Sequence, residues 1–365
     1  MKVVVVGAGY AGTLAANRLA KKVGAAGITV VNPRADFVQR IRLHERVAGA
    51  TGAAAPLTSM LREGIATRLG AIDKIGDGQA TLADGEVLPF DHLVLAVGST
   101  VAPLPGTVPV GTWEGAEEAR TALAGLPGGS MVTVVGGGPT GIETAAEIAY
   151  GRPELRVRLV GETIAASLSE RARQRVRLGL RRLGVEVVED RVERIEPGAG
   201  EGGGDLVRLR SGGPFVSHLT VWGVIGSVPD LAARSGLEVD AGGRAVVDRH
   251  LRSVTDPRIL AVGDCAAVPG SRASCATAMP QGAHAGDTLA RVIQGREPAA
   301  FSMGYVGQAL SLGRRDGVVQ ASRRDDTVRD FHLAGRAAAV LKERVCRFTV
   351  YGARTATYTW LRGPK

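Results

Sequence analysis

The run VVVVGAGYAG (residues 3–12) decides the fold. Val3 to Val6 form an unbroken β-branched stretch, which suits a strand buried on both faces of a parallel sheet. Gly7, Gly9 and Gly12 follow in G-x-G-x-x-G spacing, and residues 13–22 read as a helix with Leu14 and Leu19 turned inward. A second β-branched run, Ile28-Thr29-Val30-Val31, ends at Asn32. The whole is a βαβ unit of about 30 residues. In such a unit the first glycine allows the tight strand-to-helix turn, and the second lets the backbone approach a pyrophosphate. The third lets helix and strand pack closely. The helix N-terminus adds free N–H groups and a partial positive charge, both suited to phosphate.

The same grammar returns further along. Met131 to Val135 read as a strand, Gly136-Gly137-Gly138-Pro139-Thr140-Gly141 as the loop, residues 142–150 as a helix and residues 155–160 as the next strand. Gly7 to Asn32 spans 25 positions, and so does Gly136 to Gly161 (32 − 7 and 161 − 136). One glycine motif is weak evidence; two copies in phase, each between a β-branched strand and a helix, point to two dinucleotide-binding units. Both depart from the usual acid at the end of the second strand. The first unit has Asn32, which both accepts from and donates to a ribose hydroxyl. The second has Gly161, with Glu162 one place on, where an acid holds a 2′-OH and repels a 2′-phosphate.

Beyond these units, residues 90–98 and 258–264 carry further apolar strands that run into a glycine, where a nucleotide can lie against strand ends. Ser167 and Glu170 have capping-box spacing, and Leu168, Ala172, Val176, Leu180 and Leu183 recur at helical intervals before Gly184 at C′. Residues 198–204 read as a surface turn between strands. After residue 300 the pattern weakens. Residues 313–317 read as a turn between two short strands, and residues 347–360 show only weak alternation.

Composition sets bounds. Hydrophobic residues make up 45% and charged residues 22% of 365, which describes a packed globular protein. The net charge of +9 comes mostly from dispersed Arg, without the aromatic-interleaved basic pattern of single-strand binders, so nucleic acid is not an expected partner. Cys265, Cys275 and Cys346 offer no C-x-x-C pair, which argues against a disulfide framework or zinc ribbon and suits a reducing cytoplasm. No metal site is expected. Glycines interrupt the apolar N-terminus at once, and no run approaches the ~20 residues of a spanning helix, so stable membrane insertion is not expected.

In this order the motifs resemble the pyridine-nucleotide-dependent FAD oxidoreductase family, in the branch of type II NADH dehydrogenases and apoptosis-inducing-factor-like proteins. The resemblance rests on VVVVGAGYAGTLAA (3–16), FDHLVLAVGS (90–99), VTVVGGGPTGIETAAEIA (132–149), RILAVGDCA (258–266) and CATAMPQGAHAGDTLA (275–290). It implies an α/β fold of two Rossmann-like three-layer domains, the second inserted in the first, followed by a small α+β region. Residues 1–108 and 245–300 would bind FAD, residues 109–244 NAD(P)H, and residues 301–365 would form a cap or an interface.

By the same resemblance Gly7, Gly9, Tyr10, Ala11 and Gly12 hold the FAD pyrophosphate, and Asn32, with Pro33 and Arg34 beside it, meets the ribose. Val97 and Gly98 stand where the family has Thr-Gly. Gly263 and Asp264 reach the ribityl chain or pyrophosphate, and Met279, Pro280 and Gln281 lie along the isoalloxazine. Gly136, Gly138, Pro139, Thr140 and Gly141 hold NAD(P)H, with Glu162 at its ribose. Glu143 matches the family's acid near the junction of nicotinamide and flavin. Arg40 is a candidate flavin or phosphate contact, and His44 reads as an ordinary hydrogen-bonded histidine that a flavin could also approach. The redox Cys pair of the family's disulfide reductases is missing, since no Cys precedes Cys265.

The activity expected is FAD-dependent transfer of hydride from NAD(P)H, then of electrons to a quinone or other small acceptor, in a cytoplasmic protein that forms a homodimer. Two other classes fit the same motifs: a tailoring flavoenzyme of secondary metabolism and a non-catalytic NAD(P)H-binding redox sensor.

Overall fold

The computed structural model describes residues 1–364. Val3–Val6 is the central strand of a five-stranded, all-parallel sheet. Ile28–Asn32 and then Ala66–Leu69 lie on one side of it, and His92–Leu95 and then Ile259–Ala261 on the other. All four side chains of Val3–Val6 are buried, as their continuous β-branched run requires. The strand order reverses between Val3–Val6 and its neighbour His92–Leu95, and the crevice beyond such a switch point is where open α/β sheets bind ligands. Gly7 stands there, so close to Ala96 that a methyl group on it would overlap the Ala96 carbonyl oxygen.

A second five-stranded parallel sheet repeats this plan. Met131–Val135 is central, with Arg156–Val160 and Glu186–Val188 on one side and Leu219–Trp222 and Val108–Pro109 on the other. Its switch point brings Gly136 against Gly223. The duplication goes further than the glycine motifs. In each unit the crossover from an edge strand (Ala66–Leu69, Glu186–Val188) back to the far neighbour of the central strand (His92–Leu95, Leu219–Trp222) is a three-stranded antiparallel sheet, over residues 72–89 in the first and 192–217 in the second. The loop at residues 198–204 joins two of those strands, as its glycines suggested.

The first glycine-loop helix, Tyr10–Val23, lies against a long late helix, Cys275–Ile293. Small residues allow the close approach: a side chain on Gly282 would collide with the Ala11 backbone. Arg18 locks the pair with two hydrogen bonds to Asp287, at 2.7 and 2.9 Å.

Residues 301–364 begin with an antiparallel sheet of Gly307–Ser311, Gly317–Ser322 and Val328–Ala334, and the expected turn falls between the first two strands. The helix Arg336–Thr355 follows, an element that the weak alternation over 347–360 did not signal. It docks on the Tyr10–Val23 helix, where Asn17 Nδ2 donates to the Ala353 carbonyl at 2.8 Å.

One local expectation needs correcting. The helix Glu170–Arg182 is capped by Ser169, whose side chain accepts from Ala172 N, and not by Ser167. Ser167 Oγ donates instead to Gln308 Oε1 at 3.0 Å. Gly184, with φ +75°, does take the C′ position.

Candidate active site

Both glycine loops have the geometry that phosphate binding requires. Gly12 and Gly141 are filled in: a methyl group on either would overlap the carbonyl oxygen of the loop's first glycine, Gly7 or Gly136. Gly9 and Gly138 are open, with no protein atom within 4 Å of where a Cβ would stand. Gly9 and Gly138 are also the N-caps of their helices, Tyr10–Val23 and Pro139–Gly151, and no side chain caps either. Thr112, Ser169 and Ser274 do cap the helices that follow them. Two helix N-termini with free N–H groups and an open glycine in front of each are therefore suited to the pyrophosphates of two dinucleotides.

Around the first loop, Asn32 Oδ1 accepts from Ala8 N at 3.0 Å and Asn32 Nδ2 donates to the Arg34 carbonyl at 2.7 Å. The amide thus braces the loop from the end of the second strand. Arg34 grips Glu114 in a two-point ion pair, and Pro33 is exposed beside it. Asp264 Oδ2 accepts from Ser99 Oγ at 2.7 Å, while Asp264 Oδ1 is buried with no partner among the described residues. A ribityl hydroxyl or other ligand donor would satisfy that oxygen. Gly98, with φ +70°, and Val97 form the adjoining strand end.

Arg40 is committed to the protein. It donates to the Ser99 carbonyl and hydroxyl and to the Gly111 carbonyl, which ties the end of one sheet to the approach of the other. The structure also separates Met279, Pro280 and Gln281. Met279 is fully enclosed, and Gln281 Oε1 accepts from Gly263 N at 2.7 Å and so holds the turn before Asp264. Only Pro280 reaches a cleft, of about 280 Å³, shared with Ala276, Tyr305, Tyr358 and Trp360.

In the second unit Pro139 is the first helical residue, where its missing N–H costs nothing, and Thr140 follows it. Glu162 is exposed and receives a hydrogen bond from Arg210 at 2.8 Å, so a cation stands next to the acid at the expected ribose position.

Glu143 lies one turn into the Pro139–Gly151 helix and is buried. Its Oε1 accepts from Lys342 Nζ at 2.5 Å, from Ser311 N at 2.9 Å and from Ser311 Oγ at 3.1 Å. Burial alone would raise its pKa. The Lys342 ammonium, His44 and the hydrogen bonds outweigh burial and hold the carboxyl below its ordinary value. Burial likewise opposes the Lys342 charge, and Glu143 reverses that, so both partners are ionised.

His44 is buried beside them, its Nδ1 3.9 Å from Glu143 and its Nε2 3.4 Å from Ser311 Oγ, and burial lowers its pKa. Lys342 and Ser311 were invisible to motif reading because they lie 199 and 168 positions away in the chain. Cys265 and Cys346 are buried and free, and burial pushes both thiols up to about 11.

Residues 1–282 match the family described as pyridine nucleotide-disulphide oxidoreductase. Human ferroptosis suppressor protein 1 is 31% identical over 254 residues, which covers 66% of this chain and 67% of that protein. An NADH dehydrogenase-like protein of Mycobacterium tuberculosis is 29% identical over 352 residues, 86% of each. Among solved structures, NDH2 from Plasmodium falciparum in complex with NADH superposes with a TM-score of 0.79 at 15% identity, covering 96% of this chain and 97% of that one. At that identity the likeness is one of fold.

Proposed function

Because this chain belongs to the pyridine nucleotide-disulphide oxidoreductase family and is an FAD-dependent NAD(P)H oxidoreductase, we propose that its electron acceptor is a quinone or a comparable small molecule. The observation that carries the reading is the pair of uncapped glycine cradles at the switch points of two equivalent sheets. In this reading the first cradle, Gly7 to Gly12, holds the FAD pyrophosphate, and Asp264 with its free Oδ1 receives a sugar-chain hydroxyl. The second cradle, Gly136 to Gly141, holds NAD(P)H. The flavin supplies two-electron chemistry when bound. The protein's own contribution is to fix two cofactors in one orientation and to keep a buried, ionised Glu143–Lys342 pair beside their meeting point.

The domain division follows the same lines, with residues 1–108 and 245–300 around FAD, residues 109–244 around NAD(P)H and residues 301–365 as the cap. The cap does more than cover, since it supplies Ser311 and Lys342 to Glu143. A quinone is favoured as acceptor by the cleft at Pro280, walled by the rings of Tyr305, Tyr358 and Trp360. No described helix is long and apolar enough to cross a membrane, and a cytoplasmic homodimer completes the reading. Light scattering gives the oligomeric state.

The test is a two-step anaerobic experiment. NADH or NADPH is added to the flavin-loaded protein and bleaching is followed; then a soluble quinone is added and the return of colour is followed. Bleaching within seconds and prompt recovery with the quinone support the proposal. Bleaching with no recovery by any quinone overturns the acceptor. A long-lived long-wavelength band without bleaching points to the redox sensor instead.

A further inference from the structure

The Glu143 site is continuous with a second set of charges, running from buried Glu147 to exposed Arg314, that the hydride step does not use. One turn along the same helix Glu147 is 2% exposed and pairs with Arg314, Nε to Oε2 at 2.9 Å. Arg314 also donates to Glu45 at 3.2 Å, so two carboxylates share one guanidinium. Glu45 lies 3.9 Å from His44 Nε2, while Glu143 lies 3.9 Å from His44 Nδ1. The imidazole therefore stands between two carboxylates, one on each nitrogen, and a ring shift of about 1 Å brings either within hydrogen-bond distance. At the outer end Arg314 borders a surface cleft of about 320 Å³, together with Glu343, Arg344 and Arg347.

We propose that Glu45 and Glu147 take up a proton from this cleft and that His44 passes it to the Glu143 carboxylate, from which it goes to the acceptor as that is reduced; Lys342 keeps its own protons. The proposal rests on the NAD(P)H-to-acceptor reading above. A hydride delivers two electrons and one proton, whereas a quinone becoming a quinol takes up two electrons and two protons. One proton per turnover therefore comes from solvent, through a site whose acid is otherwise enclosed. A neutral imidazole carries it by accepting on the Glu45 side and releasing on the Glu143 side, which interchanges its tautomers.

The charges facing the path are Arg314 and Glu45 on Glu147, with Glu143 one turn away, and Glu143, Lys342, Glu45 and Arg314 on His44. Arg42 and Glu343 lie just outside, bound to each other and, through Arg42, to Glu45. For Glu147 burial is the largest influence. Burial and the neighbouring acids outweigh Arg314 and raise its pKa to about 7, which suits a group that exchanges a proton with solvent near neutral pH.

The test uses Glu147→Gln and His44→Gln, with two readouts. The first is the unfolding midpoint of flavin-free protein from pH 5 to pH 8. Because the folded pKa of Glu147 lies above the unfolded one, its contribution to stability is largest at low pH and is lost as pH rises through about 7. Wild type should show that loss, and Glu147→Gln should lack it and be the more stable protein at pH 8. The second is the anaerobic reoxidation of bleached protein by a soluble quinone. Wild type should slow as pH rises through 7. Glu147→Gln should lose that dependence, and His44→Gln should reoxidise roughly tenfold more slowly, with a larger deficit than in the bleaching step.

The proposal is overturned if both variants keep the wild-type pH profile of reoxidation, or if Glu147→Gln leaves the stability profile unchanged. A chain that takes up no flavin overturns the functional reading and the path with it. The stability readout still reports whether Glu147 holds a proton.

Discussion

At the scale of single residues, the site is built on a buried ion pair whose two halves come from distant parts of the chain. Glu143 was legible as a candidate because the resemblance places an acid two residues after the last glycine of the second loop. Nothing local announces Lys342, which sits on an Arg-rich helix where a sequence pattern reads every cation as solvated. Removing one member of a buried pair leaves the other charge uncompensated, which costs about 3–5 kcal/mol. Lys342→Met should lower stability to chemical denaturation by about that amount, and Glu143→Gln introduced with it should restore much of the loss. If Lys342→Met unfolds at the wild-type denaturant concentration, the pair is not buried as described. The cap at Ser169 has a similar lesson. Two serines stand within three positions, and the capping box selected Ser167 by spacing alone, whereas Ser169 Oγ is the one that reaches an open N–H.

At the scale of elements, strands and glycine-loop helices were readable because their signals are local: β-branched runs, glycine spacing and helical periodicity all act within about 15 residues. Of the antiparallel sheets in the crossovers only the turn at residues 198–204 was, and the helix Arg336–Thr355 was not, since alternation there is faint and tertiary contacts decide the outcome. Each glycine position now carries a separate prediction. Gly12→Ala and Gly141→Ala force a methyl group into the first glycine's carbonyl oxygen, so each should destabilise its unit by about 3 kcal/mol or lose soluble protein. A wild-type melting curve for either would contradict the close helix–strand packing. Gly9 and Gly138 have extended backbone and open space, so alanine there should leave the melting curve of ligand-free protein within about 0.5 kcal/mol of wild type.

At the scale of the whole molecule, two equivalent sheets each end in a glycine cradle at their switch point, and the C-terminal region supplies Ser311 and Lys342 to the acid on the second cradle's helix. The duplication was visible in the sequence as two motifs in phase. Contacts between the units, such as Arg40 with the Gly111 carbonyl, were not, because they join residues 71 positions apart. The central claim is that the two cradles hold different cofactors, FAD in the first and NAD(P)H in the second. Retained flavin and the NAD(P)H concentration for half-maximal bleaching, compared between Gly9→Ala and Gly138→Ala, test it most directly. The account predicts that Gly9→Ala purifies with little flavin, while Gly138→Ala keeps its flavin and needs at least roughly tenfold more NAD(P)H, the loss of about 1.4 kcal/mol of binding. Full flavin in Gly9→Ala together with flavin loss in Gly138→Ala, or wild-type behaviour in both, would contradict it.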